Sequence, residues 1–387
     1  MSAKRFLGRV KDHDGCWIEG SRVVWARWSR IDPQDMAKNS RNSDKVTLQE
    51  LAEHIQLTKG TVSAVLNQAP AAKRIPQHTK DRIFAAAERL SYRPNFFARG
   101  LVHKRTFMVG VITEEIGDAY GGMVISGIEA MLRQHKYLFV TVAHRHEPER
   151  LQEYLDVLPT RGVEGFITVD TTITRPVPLP VVAVAGHRRV KGITNIILDH
   201  KHAAVLALKH LAGLGHRKIV YFQGQRFSSD SRERWRSICE VAAKLGIPVR
   251  PELTVQLRID DPSPHPAYQL TSALLAKSRK FTAVFAYNDI SAIGAIRALR
   301  EAGLRVPEDV SVVGFDDIRD AAYHVPSLTT VRQPLRKMGE IAAQTLVDRI
   351  EGRKTYGRQI AIEPELVVRE STGKAGRSGR HPPSRRS

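Results

Sequence analysis

The sequence predicts a multi-domain chain: a small all-α unit followed by a larger α/β core of two lobes. Three observations carry that prediction. Residues 46–67 place apolar side chains at helical spacing, short apolar runs alternate with helix-length amphipathic segments after Phe107, and 387 residues suffice for two or three well-filled domains. The formal net charge of +20 adds an expected partner, because so basic a chain favours polyanions, nucleic acid first.

The all-α unit is expected over 45–92. In VTLQELAEHIQLTKGTVSAVLN, Leu48, Leu51, Ala52 and Ile55 fall at i, i+3, i+4 and i+7, with Thr47 as N-cap. Thr58 offers a second N-cap, and Val62, Val65 and Leu66 make the next apolar stripe. The outward positions of this second helix are Lys59, Gly60, Thr61, Ser63, Ala64 and Asn67, which include no acid. Such a helix fits a DNA major groove, which admits one helix and is read near its N-terminus. A loop over 68–78 leads to a third helix opening at Thr79, and Leu48, Leu51, Val62, Leu66 and Ile83 should form a shared core.

The segment 93–105 reads as a linker. Pro94 sets an extended entry and Asn95 caps a helix of about two turns, too short to be stable alone. Phe97 and Leu101 are apolar with no core of their own, and wedges of this kind can enter a minor groove. A plain linker packed on the next domain is the competing reading.

The ends look different. Residues 1–44 hold Trp17, Trp25 and Trp28 without sustained periodicity and read as a disordered N-terminal extension. It is either a basic, aromatic arm able to touch DNA or a leader preceding a translation start at Met36. Residues 371–387, with five bases and no acid, read as a disordered basic tail. Cys16 and Cys239 give neither a disulfide framework nor a zinc spacing, and no signal peptide or membrane-length apolar run is present. A soluble cytoplasmic protein is expected.

VTLQELAEHIQLTKGTVSAVLN followed by RIFAAAERLSYRPNFFARGL resembles the head-piece and hinge of the lactose/galactose repressor (LacI/GalR) family. The resemblance spans 46–370. It implies a helix-turn-helix DNA-binding domain, a hinge helix over 95–103, and a core over 106–370 with the periplasmic-binding-protein fold. Lobe one would hold 107–197 and 334–358, and lobe two 198–327 and 359–370. DNA contacts would come from Thr47, Leu48, Thr58, Lys59, Gly60, Thr61, Ser63, Ala64 and Asn67, then Tyr92, Asn95, Arg99 and the wedge Leu101. Gly60 and Ala64 are small where relatives often carry reading side chains, so base preference does not transfer.

Apolar runs at 107–112, 137–143, 165–169, 181–185, 218–222, 283–287 and 310–315 mark the strands of the core. Open α/β sheets bind ligands beyond the C-terminal ends of their strands, where YND (287–289) and GFDD (314–317) sit. By the resemblance, Arg234, Asn288 and Asp316 line an effector cleft, and Gln333 joins them at the third crossover between lobes. After the first strand, Asp118 and Tyr120 are the polar and aromatic candidates. Gly117 and Ala185 stand where relatives carry a hydroxyl and an aspartate, which leaves a simple sugar less secure as effector.

Enzyme chemistry has no positive support. There is no P-loop and no G-x-S-x-G elbow. His144 and His146 form an H-x-H that nothing nearby completes, so no metal site and no cofactor is expected. The function implied is a sequence-specific transcriptional regulator, a repressor, acting as a homodimer on a roughly palindromic operator under a small-molecule effector whose candidate chemistry is a sugar or derivative. The alternative is a small-molecule receptor whose head-piece no longer reads DNA.

Overall fold

The computed structural model describes residues 46–67, 69–93, 105–258 and 261–376. The chain divides after Leu101 into two compact units. The expected N-terminal extension and the hinge residues Asn95, Phe97, Arg99 and Leu101 lie outside the described residues.

The first unit is a helical bundle. Helices α1 (Leu48–His54), α2 (Lys59–Leu66) and α3 (Gln77–Arg89) surround Leu51, Ala52, Val62, Val65 and Ile83, all buried, with Leu48 and Leu66 packed at the margin. Two differences from expectation are local. α3 opens at Gln77, with Pro76 as its N-cap in an extended conformation and no side-chain cap, so the helix starts two residues before Thr79. The loop before it contains a 3-10 turn, Pro70–Arg74, whose Ala72 joins the core.

The second unit contains two six-stranded sheets. The first holds β1 (Met108–Thr113), β2 (Leu138–Ala143), β3 (Phe166–Val169), β4 (Val181–Val184), β5 (Ile193–Leu198) and β11 (Gln359–Ile362), in the order β11-β5-β4-β3-β1-β2 with every pairing parallel. The second holds β6 (Ile219–Gln223), β7 (Thr254–Gln256), β8 (Ala283–Phe285), β9 (Ser311–Asp316), β10 (Thr329–Arg332) and β12 (Glu365–Val367). Its order is β12-β10-β9-β8-β6-β7, with β12 antiparallel at the edge.

Helices cover both faces of each sheet, which is why the central strands read as unbroken apolar runs. In lobe one, α4 (Ala119–Gln134) and α11 (Leu335–Ile350) cover Val109, Val111 and Ile167, while α5 (Pro148–Thr160) covers Ile112 and Phe166. In lobe two, α8 (His265–Lys277) and α9 (Asp289–Glu301) cover one face, and α6 (His200–Gly213) and α7 (Ser229–Lys244) the other. A short α10 (Arg319–Tyr323) follows β9.

The chain passes between lobes after Leu198, at Gln333–Pro334 and between β11 and β12. Two expected boundaries therefore move. Residues 359–362 pair with β5 in lobe one, so 359–370 is split between lobes. Gln333 sits at the second crossover along the chain, not the third. The C-terminal boundary moves too. Ser371 is fully buried, its hydroxyl donates to the Val312 carbonyl (2.6 Å) and accepts from the Thr329 amide (2.8 Å), and the Ala375 amide donates to Leu214 (2.8 Å). The described chain is thus laced into lobe two past residue 370, and 377–387 lies outside the described residues.

Glycines let the paired helices touch. A Cβ on Gly127 of α4 would lie 1.9 Å from the Arg336 carbonyl oxygen, and one on Gly339 of α11 would lie 2.1 Å from that of Val124. Backbone cannot yield as a flexible side chain can. Gly339→Ala is expected to destabilise the core by about 1–3 kcal/mol, the usual cost of overpacking. Urea unfolding of the purified protein would show a lowered midpoint, and an unchanged midpoint would contradict this packing.

Candidate functional site

The head-piece presents one helix end. Thr47 and Glu50 cap α1 reciprocally, with the Thr47 amide donating to the Glu50 carboxylate (2.6 Å) and the Glu50 amide to the Thr47 hydroxyl (3.2 Å). Thr58 caps α2 by accepting from the Thr61 amide (3.2 Å). Val62 and Val65 face inward, which leaves Thr58, Lys59 and Gly60 exposed and Thr61, Ser63 and Ala64 half-buried. An uncovered helix N-terminus with a lysine and no acid in its first turn suits a phosphate backbone.

Two of the expected contact residues are placed differently. Asn67 is the C-cap of α2, and its side-chain amide donates to Ser63 Oγ (3.1 Å). Tyr92 packs against the bundle core. Gly60, by contrast, has open space: a Cβ there would meet nothing nearer than Thr58 Oγ1 at 3.9 Å. Packing does not require this glycine.

The second site is the cleft between the lobes, a cavity of about 130 Å³ that opens to solvent. Lobe one supplies Glu114, Asp118, Tyr120 and Asp170; lobe two supplies Phe227, Ser228, Asp230, Arg234, Tyr287, Asn288 and Asp316. These residues follow the C-terminal ends of the strands, as the topology requires. Several strand ends carry non-glycine residues in the left-handed region: Asp170 (φ 43), Ala185 (φ 60) and Asp316 (φ 110). Each such conformation costs about 1–3 kcal/mol and persists where the surroundings enforce it, commonly at functional sites.

Arg234 is 4% exposed. Its Nη1 donates to the Tyr287 carbonyl (2.5 Å) and its Nη2 to Asp230 Oδ2 (2.6 Å), while its plane lies 3.7 Å from the Phe315 ring centroid and 4.6 Å from that of Tyr287. Its Nε is buried without a partner. The other oxygen of Asp230 accepts from His187 Nε2 (3.0 Å) and His200 Nε2 (2.8 Å). Burial pushes the Asp230 carboxyl up, but the His200 and Arg234 charges and these hydrogen bonds outweigh it and hold the group well below the usual carboxylate range.

The other acids behave oppositely. Burial, then the charge of Asp230, push Asp170 well above the usual range, although Ser228 Oγ donates to it (3.2 Å). Burial raises Asp316 to about 7 despite Arg234 and a hydrogen bond from Gln333 Nε2 (2.6 Å). Asp289 lies behind this layer and fixes the loop after β9, accepting from Thr330 Oγ1 (2.6 Å) and the Ile318 amide (2.9 Å).

Asp118, Tyr120, Arg234, Asn288 and Asp316, all expected in the cleft, line it together. Gln333 does not; it is buried behind Asp316 and orients that carboxylate. Asn288 also caps α9, its Oδ1 accepting from the Ser291 amide (2.9 Å). Asp317 turns away from the cleft to pair with Arg332 and Arg369 (2.7 Å each). Asp170, Asp230, His187 and His200 were missed. Asp230 sits four residues before Arg234, the spacing of an intrahelical ion pair, and that signal was available. His144 and His146 stay edge to face with ring centroids 6.0 Å apart, the first also meeting Thr171 (3.0 Å) and the second Glu114 (3.3 Å).

A capped reading helix and a two-lobed α/β core with a polar cleft define a DNA-binding regulator that carries a ligand-binding domain. The profile of the bacterial regulatory proteins of the lacI family matches residues 47–95, and that of the periplasmic binding protein-like domain matches 208–372. The HTH-type transcriptional repressor PurR of Yersinia pestis bv. Antiqua (strain Antiqua) is 31% identical over 335 residues, covering 84% of this chain and 96% of PurR. PurR of Haemophilus influenzae is 29% identical over 84% of this chain and 98% of its own. Among solved structures, the Lac repressor dimer bound to operator and the anti-inducer ONPF aligns with a TM-score of 0.76 at 27% identity, over 85% of this chain and 99% of that one. The CelR–cellobiose complex aligns at 0.61 and 26%, over 84% and 100%. The chain belongs to the lacI family of bacterial regulatory proteins and is a DNA-binding transcriptional regulator.

Two outcomes follow from this geometry. Gly60→Ala is expected to stabilise α2 by up to about 1 kcal/mol, since alanine is the better helix former and the space is open; a loss of stability in thermal unfolding would contradict that. For Asp316, the folded carboxyl titrates at about 7 and the unfolded one near the ordinary aspartate value of 3.8. The folded state therefore binds more protons between those values, and stability falls as pH rises from about 4 to 7. Asp316→Asn should flatten that fall in urea unfolding across pH, and an unchanged slope would contradict the assignment.

Proposed function

We propose that this chain acts as a homodimeric, sequence-specific repressor whose grip on DNA is set by a small polar molecule held between the lobes. The observation that carries the proposal is the presence, in one chain, of an exposed α2 N-terminus and a cleft fed by strand ends from both lobes. Lys59 and the Thr58–Thr61 cap would meet phosphates, while Ser63 and Ala64 would face base edges and Gly60 would admit close approach. Asn95, Arg99 and Leu101 would form a hinge helix ordered on DNA, with Leu101 as wedge. The protein would act in the cytoplasm, on the nucleoid.

Relatives support the parts separately. One solved relative is the Lac repressor dimer on its operator; others are CelR with cellobiose and a LacI family regulator from Enterococcus faecium with ribose, the last aligning at 27% identity and a TM-score of 0.61. Acids, amides and aromatic rings at this cleft suit a donor-rich molecule, a sugar or derivative. Ala185 lacks the aspartate common in relatives, and Asp230 brings a carboxylate to the cleft from the opposite lobe instead. Exposed apolar side chains on edge strand β2 (Leu138, 60% exposed) and at the end of α10 and just beyond it (Tyr323, 87%; Val325, 71%) support a second copy as their cover. The cleft is proposed to bind and not to catalyse, in keeping with relatives that are regulators.

Selection of bound sequences from random DNA tests this reading. A two-fold symmetric site should be enriched, and Lys59→Ala should weaken binding to all sequences about equally while reducing the salt dependence by about one charge. A folded dimer that enriches no sequence would favour the receptor reading with a silent head-piece.

A further inference from the structure

We propose that His187, His200 and Asp230 bind one divalent transition-metal ion, Zn²⁺ by donor preference, and that the ion ties the two lobes together. Among the described residues these three form the one group whose possible ligand atoms all lie within 4.8 Å of one another. Two imidazoles and a carboxylate are a characteristic zinc donor set, leaving a fourth position for water or a bound molecule.

The geometry is close to what an ion needs. Both Nε2 atoms converge on the same oxygen, Asp230 Oδ1, at 3.0 and 2.8 Å. Ligands about 2.0–2.1 Å from a tetrahedral ion stand roughly 3.3 Å from one another, so each imidazole nitrogen need move from the shared oxygen by only a few tenths of an ångström. Asp230 Oδ2 stays with Arg234.

Charge argues the same way. Asp118, Asp170, Asp230 and Asp316 share this cleft with one lining base, Arg234. An ion at Asp230 would supply the positive charge that one guanidinium cannot. The placement gives the ion a consequence: His187 follows β4 in lobe one, whereas His200 opens α6 and Asp230 lies in the first turn of α7 in lobe two. His187 is only partly buried, which leaves a path for entry. None of this depends on which molecule, if any, the cleft takes.

The full chain, stripped with chelator and dialysed, is titrated with Zn²⁺ alone by calorimetry, and Co²⁺ is followed by the visible absorption of a tetrahedral centre. The expected result is one ion per chain, with affinity lowered more than about 10-fold in both His187→Ala and Asp230→Asn. His202→Ala, which removes an exposed imidazole paired with Glu363, should leave it unchanged. Failure to retain Zn²⁺, or retention indifferent to His187→Ala and Asp230→Asn, would overturn the site. The cobalt spectrum of the unaltered chain keeps the outcome readable if a variant folds poorly, and a non-tetrahedral spectrum would count against the proposal.

Discussion

Arg234 organises the lobe-two side of the place where the two lobes meet. It is the only base lining the cleft among the described residues, and it binds Asp230, the backbone at Tyr287 and the faces of two aromatic rings at once. A buried ion pair adds little net stability in itself, but removing one partner leaves an uncompensated charge. Asp230 then reaches His187 across the interlobe boundary, Ser228 reaches Asp170, and Ser229 Oγ donates to the Ala185 carbonyl (3.3 Å). The first turn of α7 is therefore the bolt between lobes, and its strength depends on charge.

That arrangement rests on an architecture suited to movement. Each lobe has its own sheet and its own covering helices, so each core is complete within itself. The chain passes between lobes three times, and these passages are short segments beside the cleft. Rigid lobes joined by short passages move by hinging, and a ligand gripping both sides shifts the balance between arrangements only by its different affinity for each. Left-handed residues at Asp170, Ala185 and Asp316 hold the gripping groups in place.

Much of this was legible in the sequence, and the rest was hidden for identifiable reasons. Periodicity located α1, α2 and strands β1–β4, β6, β8 and β9, because strands covered on both faces leave unbroken apolar runs. The runs read from the sequence did not include β5, β7, β10, β11 or β12: β5 and β10 carry Thr, Asn or Arg within them, and β7, β11 and β12 are short edge strands of mixed polarity. Resemblance brought Asp118, Tyr120, Arg234, Asn288 and Asp316 to one cleft. It could not supply Asp230, His187 and His200, since their meeting is made by folding across a crossover, and nothing in local spacing announces it. Gln333 was recognised as part of the site but serves by orienting Asp316. Asn67 looked outward by helical phase, yet at the helix end it turned back onto Ser63.

Control of DNA binding would couple the reading helix to a charge cluster in a different domain, and one measurement addresses that coupling directly. Binding of Asp230→Asn to the DNA sequence that the unaltered protein selects would be compared with that of the unaltered protein, with dimerisation checked in both. Loosening the bolt should change affinity by about tenfold or more, a coupling of roughly 1.4 kcal/mol or greater, although no residue of the head-piece has changed. Equal affinity, with and without cleft ligand, would show that the lobes do not govern the reading helix.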